Sequence, residues 1–403
     1  MRDQQRWAHM GECNLRAWVL GTLLCATAAV NVYAQESTEP APVEWGMKGV
    51  EATGLKPAFD DLGLKLYGWV AQSFTFNVDS PKDRLNVFRV FDDRSNDYRF
   101  NQLSNVLERP LREGNSFDVG GKVQAIYGSD SRFIHAFDLP EADSPFREDV
   151  VQIDPTQFYG LVRVPLGNGL TIKFGKYVTT HGAEVIDAPG NALFSHSYLF
   201  GFAIPFTHTG IQFDYPITDN VNVYYGLVRG WDVFRDNNSS MSHMVGGTIK
   251  WTDRLTTFFN LVTGPEREDE NTDYRTVFDF NATYQWTDRF STTLNVDLGN
   301  ESGASDTGKN WWGIAGYATY KFSPQVSTTL RAEYFRDDTA SRLGITGDLS
   351  EVTLGVDIHP FKDLYNLRFR PEVRWDHAFG DRPFDRGTKH NQFTIASDVI
   401  FTF

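Results

Sequence analysis

From residue 64 to the C-terminus the chain repeats one pattern: about ten residues of alternating polar and apolar positions, then a break. Phe290–Leu298 is the cleanest case. Phe290, Thr292, Leu294, Val296 and Leu298 fall on one face, opposite Ser291, Thr293, Asn295 and Asp297. Val326–Tyr334 and Val352–His359 repeat it, with Val326, Leu330, Ala332 and Tyr334 on one face of the former and Val352, Leu354, Val356 and Ile358 on one face of the latter. A period of two puts alternate side chains on opposite faces of a strand. Soluble sandwiches alternate as well, so the breaks decide. Tight turns at Thr218-Asp219-Asn220, Thr252-Asp253-Arg254, Thr287-Asp288-Arg289, Ser323-Pro324-Gln325 and Lys362-Asp363 are interleaved with longer polar loops near 232–243, 264–273, 300–310, 336–350 and 380–390. Short turns on one rim and long loops on the other describe an up-and-down antiparallel transmembrane β-barrel.

The pattern predicts about sixteen strands, at 64–78, 98–109, 116–127, 151–164, 170–177, 206–217, 221–231, 243–251, 255–263, 274–286, 290–299, 311–322, 326–335, 351–360, 366–379 and 391–403. The even count places both termini in the periplasm and every long loop outside. Alternation is poor near Tyr67, Phe158 and Trp312, which leaves the facing of those strands open. The last strand, QFTIASDVIFTF, aligns Phe393, Ile395, Val399, Phe401 and Phe403 and stops on Phe403. A terminal strand ending in phenylalanine resembles the signal read by the barrel-assembly machinery.

Composition changes the picture at the N-terminus. Arg2, Arg6 and Arg16 precede an apolar stretch from Ala17 to Val30, and Val32-Tyr33-Ala34 has the small-residue pattern of a cleavage site. Residues 1–34 therefore read as a signal peptide, 35–63 as a flexible periplasmic leader rich in Glu, Pro and Gly, and 64–403 as the barrel. Both cysteines, Cys13 and Cys25, lie in the signal peptide, so the exported chain carries no disulfide or thiol chemistry. Its removal takes the formal charge from −14 to −15, a poor balance for binding nucleic acid. No stretch of about 18 consecutive apolar residues exists for a membrane-spanning helix, yet aromatics reach 14%, as an outer-membrane barrel requires.

Three runs carry a family resemblance: GNGLTIKFGKYVTTHGAEVIDAP (167–189), SYLFGFAIPFTHTGIQFDYPITD (197–219) and YYGLVRGWDVFRDNN (224–238). Weaker echoes are YGWVAQSFTFN (67–77), WWGIAGYATYKFS (311–323) and LRAEYFRDD (330–338). Together they resemble the OmpL-like β-barrel porins. The resemblance implies a bacterial outer-membrane porin, set in lipid and lipopolysaccharide, that passes small hydrophilic solutes or ions down their gradient without a cofactor. Analogy with general porins adds a homotrimer.

With apolar positions facing lipid, their alternates face the lumen. In LRFRPEVRWDHAF, Arg368, Arg370, Glu372, Arg374 and Asp376 then point inward, though Pro371 could introduce a bulge that shifts the register. Lys122, Lys173, Asp279, Asp297, Arg331, Glu333, Asp357 and Asp398 point inward by the same logic. The connection from Val178 to Pro205 is the third external loop, which in sixteen-stranded general porins folds into the lumen. It carries Glu184 and Asp187, and its run SYLFGFAIPFTHTG is too apolar and too rich in Gly and Pro for a regular strand. Two readings of the charges stand side by side. Arg368, Arg370 and Arg374 could face Glu184 and Asp187 across an eyelet whose transverse field sets ion preference. Alternatively the arginines only form ladder ion pairs with Glu372 and Asp376. For Tyr198–Phe206 the choice is between anchoring the loop to the barrel wall and a lipid-facing aromatic girdle.

Other chemistry is weakly supported. His181, His196 and His208 lack metal-ligand spacing. Ser195-His196-Ser197 is the nearest approach to a hydrolase centre, but adjacent residues do not form a triad and no G-x-S-x-G elbow occurs. A structural or adhesive barrel with a closed lumen, an outer-membrane lipid hydrolase and a soluble β-protein remain as alternatives.

Overall fold

The computed structural model describes residues 44–139, 150–303, 308–362 and 364–403. The signal peptide and the first part of the leader lie outside the described residues. Sixteen strands form a closed antiparallel barrel in which each pairs with its neighbours in the chain. They are β1 (Lys65–Asn77), β2 (Asp97–Arg109), β3 (Asp118–Gly128), β4 (Gln152–Val164), β5 (Leu170–Val178), β6 (Thr207–Thr218), β7 (Val221–Val228) and β8 (Ser242–Lys250). The second half comprises β9 (Leu255–Pro265), β10 (Tyr274–Thr287), β11 (Phe290–Glu301), β12 (Lys309–Ser323), β13 (Val326–Asp337), β14 (Gly347–Ile358), β15 (Leu367–Phe379) and β16 (Asn391–Thr402).

Period two sorts side chains as expected. Leu294 and Leu298 of β11, Leu330 of β13, Val352 and Leu354 of β14, and Phe369, Val373 and Trp375 of β15 are exposed on the outer wall, where lipid solvates them. Their alternates Asn295, Asp297, Arg331, Glu333, Glu351, Arg370, Glu372, Arg374 and Asp376 are buried inside. Trp251, Trp286, Tyr320 and Phe322 stand exposed beside the short turns, as a girdle does. Closure joins β1 to β16 from Trp69↔Thr402 to Asn77↔Thr394. The terminal residue takes part: Phe403 and Gly68 exchange backbone hydrogen bonds of 2.8 and 2.9 Å. The Phe403 ring lies so close to Gly68 that a Cβ there would stand 2.7 Å from it.

Departures from the expected pattern in β4, β12 and β7 have identifiable causes. In β4 the register against β3 shifts between Gln124 and Ile126, so that Ile126 faces Asp154 and Gln124 faces Gln157. Pro155, which has no ladder N–H, sits in the resulting bulge and breaks the alternation near Phe158. In β12 the inner face itself is apolar: Trp311, Ala315 and Tyr317 are buried inside while Trp312 and Ile314 face lipid. Pro371 shifts nothing, because Gly355↔Glu372 and Ile358↔Phe369 lie in one register. Strand β7 stops at Val228 because Trp231 turns into the lumen, its N–H donating to Glu266 at 2.6 Å.

The composition of residues 44–63 suggested flexibility, but they form two short helices, α1 (Trp45–Ala52) and α2 (Lys56–Leu62). Helix α1 packs on β1, with Gly46 close against the Leu66 carbonyl. Gly63 ends α2 in the left-handed conformation (φ 67°) that releases the chain into β1. No described helix is long and apolar enough to cross a membrane.

Candidate functional site: the lumen and its inward loops

The third external loop, residues 179–206, enters the barrel. Its apolar run forms a π-helical turn, Leu199–Ala203, and every residue from Leu193 to Phe200 is buried. Leu199 and Ala203 pack in one cluster with Trp311, Ala315 and Phe335 of the β12–β13 wall. Phe200 and Phe206 join a second cluster with Val90, Phe91, Ile126 and Ile186. Each fully buried large side chain contributes about 1.5–3 kcal/mol. The run is thus an anchor inside the lumen and not a lipid-facing girdle. Gly201 is required by proximity, since a Cβ there would lie 2.7 Å from Val90.

A buried loop has backbone groups that no ladder satisfies, and each must find a partner. The charged wall supplies them. Arg368 donates to the carbonyls of Pro189 (2.5 Å) and Asn191 (3.3 Å), and Arg370 to Asn191 (2.5 Å). Arg374 donates to His196 O and Arg331 to Ser195 O, both at 2.6 Å. Glutamates accept in the other direction. Glu372 takes the Phe194 and Ser195 N–H groups at 2.9 and 3.1 Å, and Glu333 those of Tyr198 and Leu199 at 2.6 Å. Ladder carboxylates hold the arginines: Asp357 for Arg368, Asp398 for Arg370, Asp376 for Arg374 and Glu351 for Arg331. The wall reads the loop backbone, donor for acceptor.

This arrangement corrects the eyelet. The expected inward set is present, but Arg368, Arg370 and Arg374 do not face Glu184 and Asp187 across a gap. Glu184 pairs instead with Arg331 (2.7 Å) and accepts from Tyr317 (3.0 Å). Asp187 accepts from Gln124 on β3 at 2.7 Å. Asp376 serves Arg374, Arg89 and the Tyr198 hydroxyl together. Lys122 and Lys173 line the periplasmic side, resting on tyrosine rings. The loop also reaches the far wall, where Asn260 of β9 donates to Thr180 O at 2.9 Å. Two cavities of about 10 Å³, each the size of one water, lie between loop and wall among the described residues, one beside Glu184 and Tyr317 and one beside Phe194 and Arg370. Ser195-His196-Ser197 holds the loop in place: Arg331 donates to Ser195 Oγ at 3.2 Å and Ser197 N–H donates to Glu184 at 2.8 Å.

A second inward element has no counterpart in the sequence reading. The first external loop, 78–96, sends Val90 and Phe91 against Phe200 and His196, and Arg89 onto Asp376 (2.7 Å) and Thr394 (2.9 Å). Phe88 and Phe91 adopt positive φ (57° and 77°), a strained state for bulky residues that is held in place at Phe91 by burial and at the half-buried Phe88 by edge contacts with Phe202 and Phe384. The signal was available in LNVFRVF (85–91), an apolar run between charged loop residues. From outside, Arg342 of the loop between β13 and β14 stacks over Trp231 and Trp311 and donates to Phe202 O at 2.6 Å.

His196 gives the loop a pH dependence. Burial, aided by Arg331 and Arg370, lowers its pKa from 6.5 to about 4, against the opposing pull of Glu184 and the Val185 carbonyl. An unfolded loop binds a proton near pH 6.5 that the seated loop refuses, so acidification through 6.5 toward 4 loosens the seat. Asp130 and Glu266, both raised to about 7 by burial, work in the opposite sense over part of that range. The contribution of His196 is therefore read as a difference. His196→Gln should lose proteolytic protection of the loop less steeply than the parent between pH 6.5 and 4; parallel profiles would refute the assignment.

The family profile described as "Putative beta-barrel porin-2, OmpL-like" matches residues 63–403. Among solved structures, the chain is similar to an anion-selective porin from Comamonas acidovorans, with 10% identity and a TM-score of 0.57, covering 84% of this chain and 99% of that one. It is similar to the outer membrane channel DcaP of Acinetobacter baumannii at 12% identity and TM-score 0.53, covering 84% and 97%. A loop L8 deletion mutant of OmpT, an outer membrane protein of Vibrio cholerae, is similar at 13% identity and TM-score 0.55, covering 84% and 99%. At these identities the likeness concerns the fold. No curated protein matches the chain.

Proposed function

We propose, on the premise that this chain belongs to the OmpL-like β-barrel porin-2 family, that it is an outer-membrane channel for passive diffusion of small hydrophilic solutes or ions. The observation that carries the reading is the third loop, folded into a charged lumen and tied to its wall by the loop's own backbone. The loop and the first external loop set the narrowest level, and the half-exposed polar wall below it forms a periplasmic vestibule. Selectivity then depends on which charges remain free at that level. The arginines and glutamates committed to the loop backbone contribute little field of their own.

The filled interior favours a second reading: a non-conducting structural barrel whose external loops bind a partner. One measurement separates the two. Purified protein, shown to be folded by heat-modifiable migration on a denaturing gel, is added to a planar bilayer. Uniform ohmic steps are expected. A folded barrel that never conducts would overturn the channel reading and leave the structural one.

A further inference from the structure

Three external loops meet at one small cavity inside the barrel. It has a volume of about 10 Å³, room for one water, and is lined by Phe91 of the first loop, Asp130 of the second and His196 of the third. Asn101 and Gln102 of β2 and the Arg370–Asp398 pair of β15 and β16 contribute the rest of its polar lining. His196 and Asp130 are both buried.

His196 has one ring nitrogen without a partner there. Its Nε2 lies 3.3 Å from the Val185 carbonyl, which only accepts, so the ring proton sits on Nε2 and Nδ1 is left as an acceptor. Among the described residues nothing donates to Nδ1. The ring is kept from turning toward a donor, because Phe91 packs on it edge-on at 4.9 Å and Phe200 lies across it at 4.3 Å. Asp130 is held in place by donors. Asn101 donates to one of its oxygens at 2.9 Å, Gln102 to the other at 3.0 Å, and Ser129 Oγ adds a third bond at 3.2 Å. Each carboxyl oxygen has two lone pairs, so capacity remains. Other polar groups of the lining are engaged: Arg370 with Asp398 and the Asn191 carbonyl, and Gln102 Oε1 with Trp69 and the Ala188 N–H.

We propose that this cavity binds a single water that bridges His196 Nδ1 to the Asp130 carboxyl, tying the third loop to the second through one shared proton. In the seated loop the water accepts the Asp130 hydrogen and donates one of its own to His196 Nδ1. Each buried group thereby gains the partner it lacks. The inference goes beyond the channel reading and holds equally for a barrel that does not conduct.

The bridged pair cancels most of its own pH dependence. Burial raises Asp130 to about 7, against Asn101, Gln102, Ser129 and the Arg132 charge. Burial, with Arg331 and Arg370, lowers His196 to about 4, against Glu184 and the Val185 carbonyl. Released into water, the two groups return to their ordinary 3.8 and 6.5. Between pH 4 and 6.5 the seated pair therefore holds one proton, on Asp130, and the released pair also holds one, on His196. Equal proton counts give no slope. Asp398, the other acid at the cavity, is paired with Arg370.

The test uses the full chain in detergent. A crystal structure at about pH 5.5 should place one ordered water within hydrogen-bonding distance of both His196 Nδ1 and Asp130. A dry cavity, or a water that fails to reach both groups, would overturn the site, and this arm needs no variant. Protease protection of the third loop is followed in parallel from pH 6.5 to 4, relative to the parent. Asp130→Asn leaves His196 uncompensated, so protection should fall on acidification, by up to about tenfold per pH unit for one proton. His196→Gln leaves Asp130 uncompensated and should shift protection the opposite way by a similar factor. Heat-modifiable variants that shift in the same direction, or that both follow the parent, would overturn the shared proton.

Discussion

Deleting residues 181–204 and closing the gap with a short glycine-containing turn raises single-channel conductance several-fold and leaves the barrel heat-modifiable. The ladder prepares this junction, because Val178 and Thr207 are register partners and Thr179 N–H already bonds Phe206 O at 2.9 Å. A turn of a few residues can close a hairpin there. The deletion removes the π-helical turn, its apolar contacts with the wall and every backbone group that the wall's arginines and glutamates now hold. Arg331, Arg368, Arg370 and Arg374 keep their ladder carboxylates Glu351, Asp357, Asp398 and Asp376, so the exposed wall becomes a hydrated, internally paired lining. Unchanged conductance in the deletion variant would move the narrowest level to the first loop. Removing Val87–Phe91 as well would then give the increase.

The barrel was legible because lipid and lumen impose opposite solvents on alternate residues, and that contrast writes a period of two into the chain. Strands such as β11 and β13, with one face mainly apolar, come out within two residues of their sequence-predicted ends. The pattern blurs where the inner face is not in contact with water. Trp311, Ala315 and Tyr317 make β12 apolar on both faces because the third loop covers them. Pro155 blurs β4 for a different reason, by bulging the strand.

The site was half legible by the same logic. Inward arginines and acids follow from parity, so Arg331, Glu333, Arg368, Arg370, Glu372, Arg374 and Asp376 are where alternation puts them. Their partners are not fixed by parity. The eyelet reading paired charges by sign alone, whereas a folded-in loop presents mostly backbone, whose unpaired N–H and C=O groups outnumber its two carboxylates. Long-range partners such as Glu333 with Tyr198 leave no local trace in the chain. Phe91 is similar: its positive φ is enforced by tertiary burial that no local pattern announces.

Arg331→Met costs about 3–5 kcal/mol, the range for breaking a buried ion pair from one side. Arg331 is fully buried and bonds Glu351 (2.5 Å), Glu184 (2.7 Å), Ser195 O (2.6 Å) and Ser195 Oγ (3.2 Å). Its removal strands two carboxylates, one on the wall and one on the loop, and frees a loop carbonyl. The cheaper response is for the loop to leave, taking Glu184 to water and surrendering the apolar seat of Leu199 and Ala203. The variant should therefore show cleavage within residues 181–204 by added protease and noisier, larger conductance, with the sixteen-stranded barrel still heat-modifiable. Arg331→Met combined with Glu184→Gln and Glu351→Gln should recover most of the protection, because no buried charge is then left unpaired. A single variant as protected as the parent would mean that the apolar run alone seats the loop. The charged wall would then be a lining and not a latch.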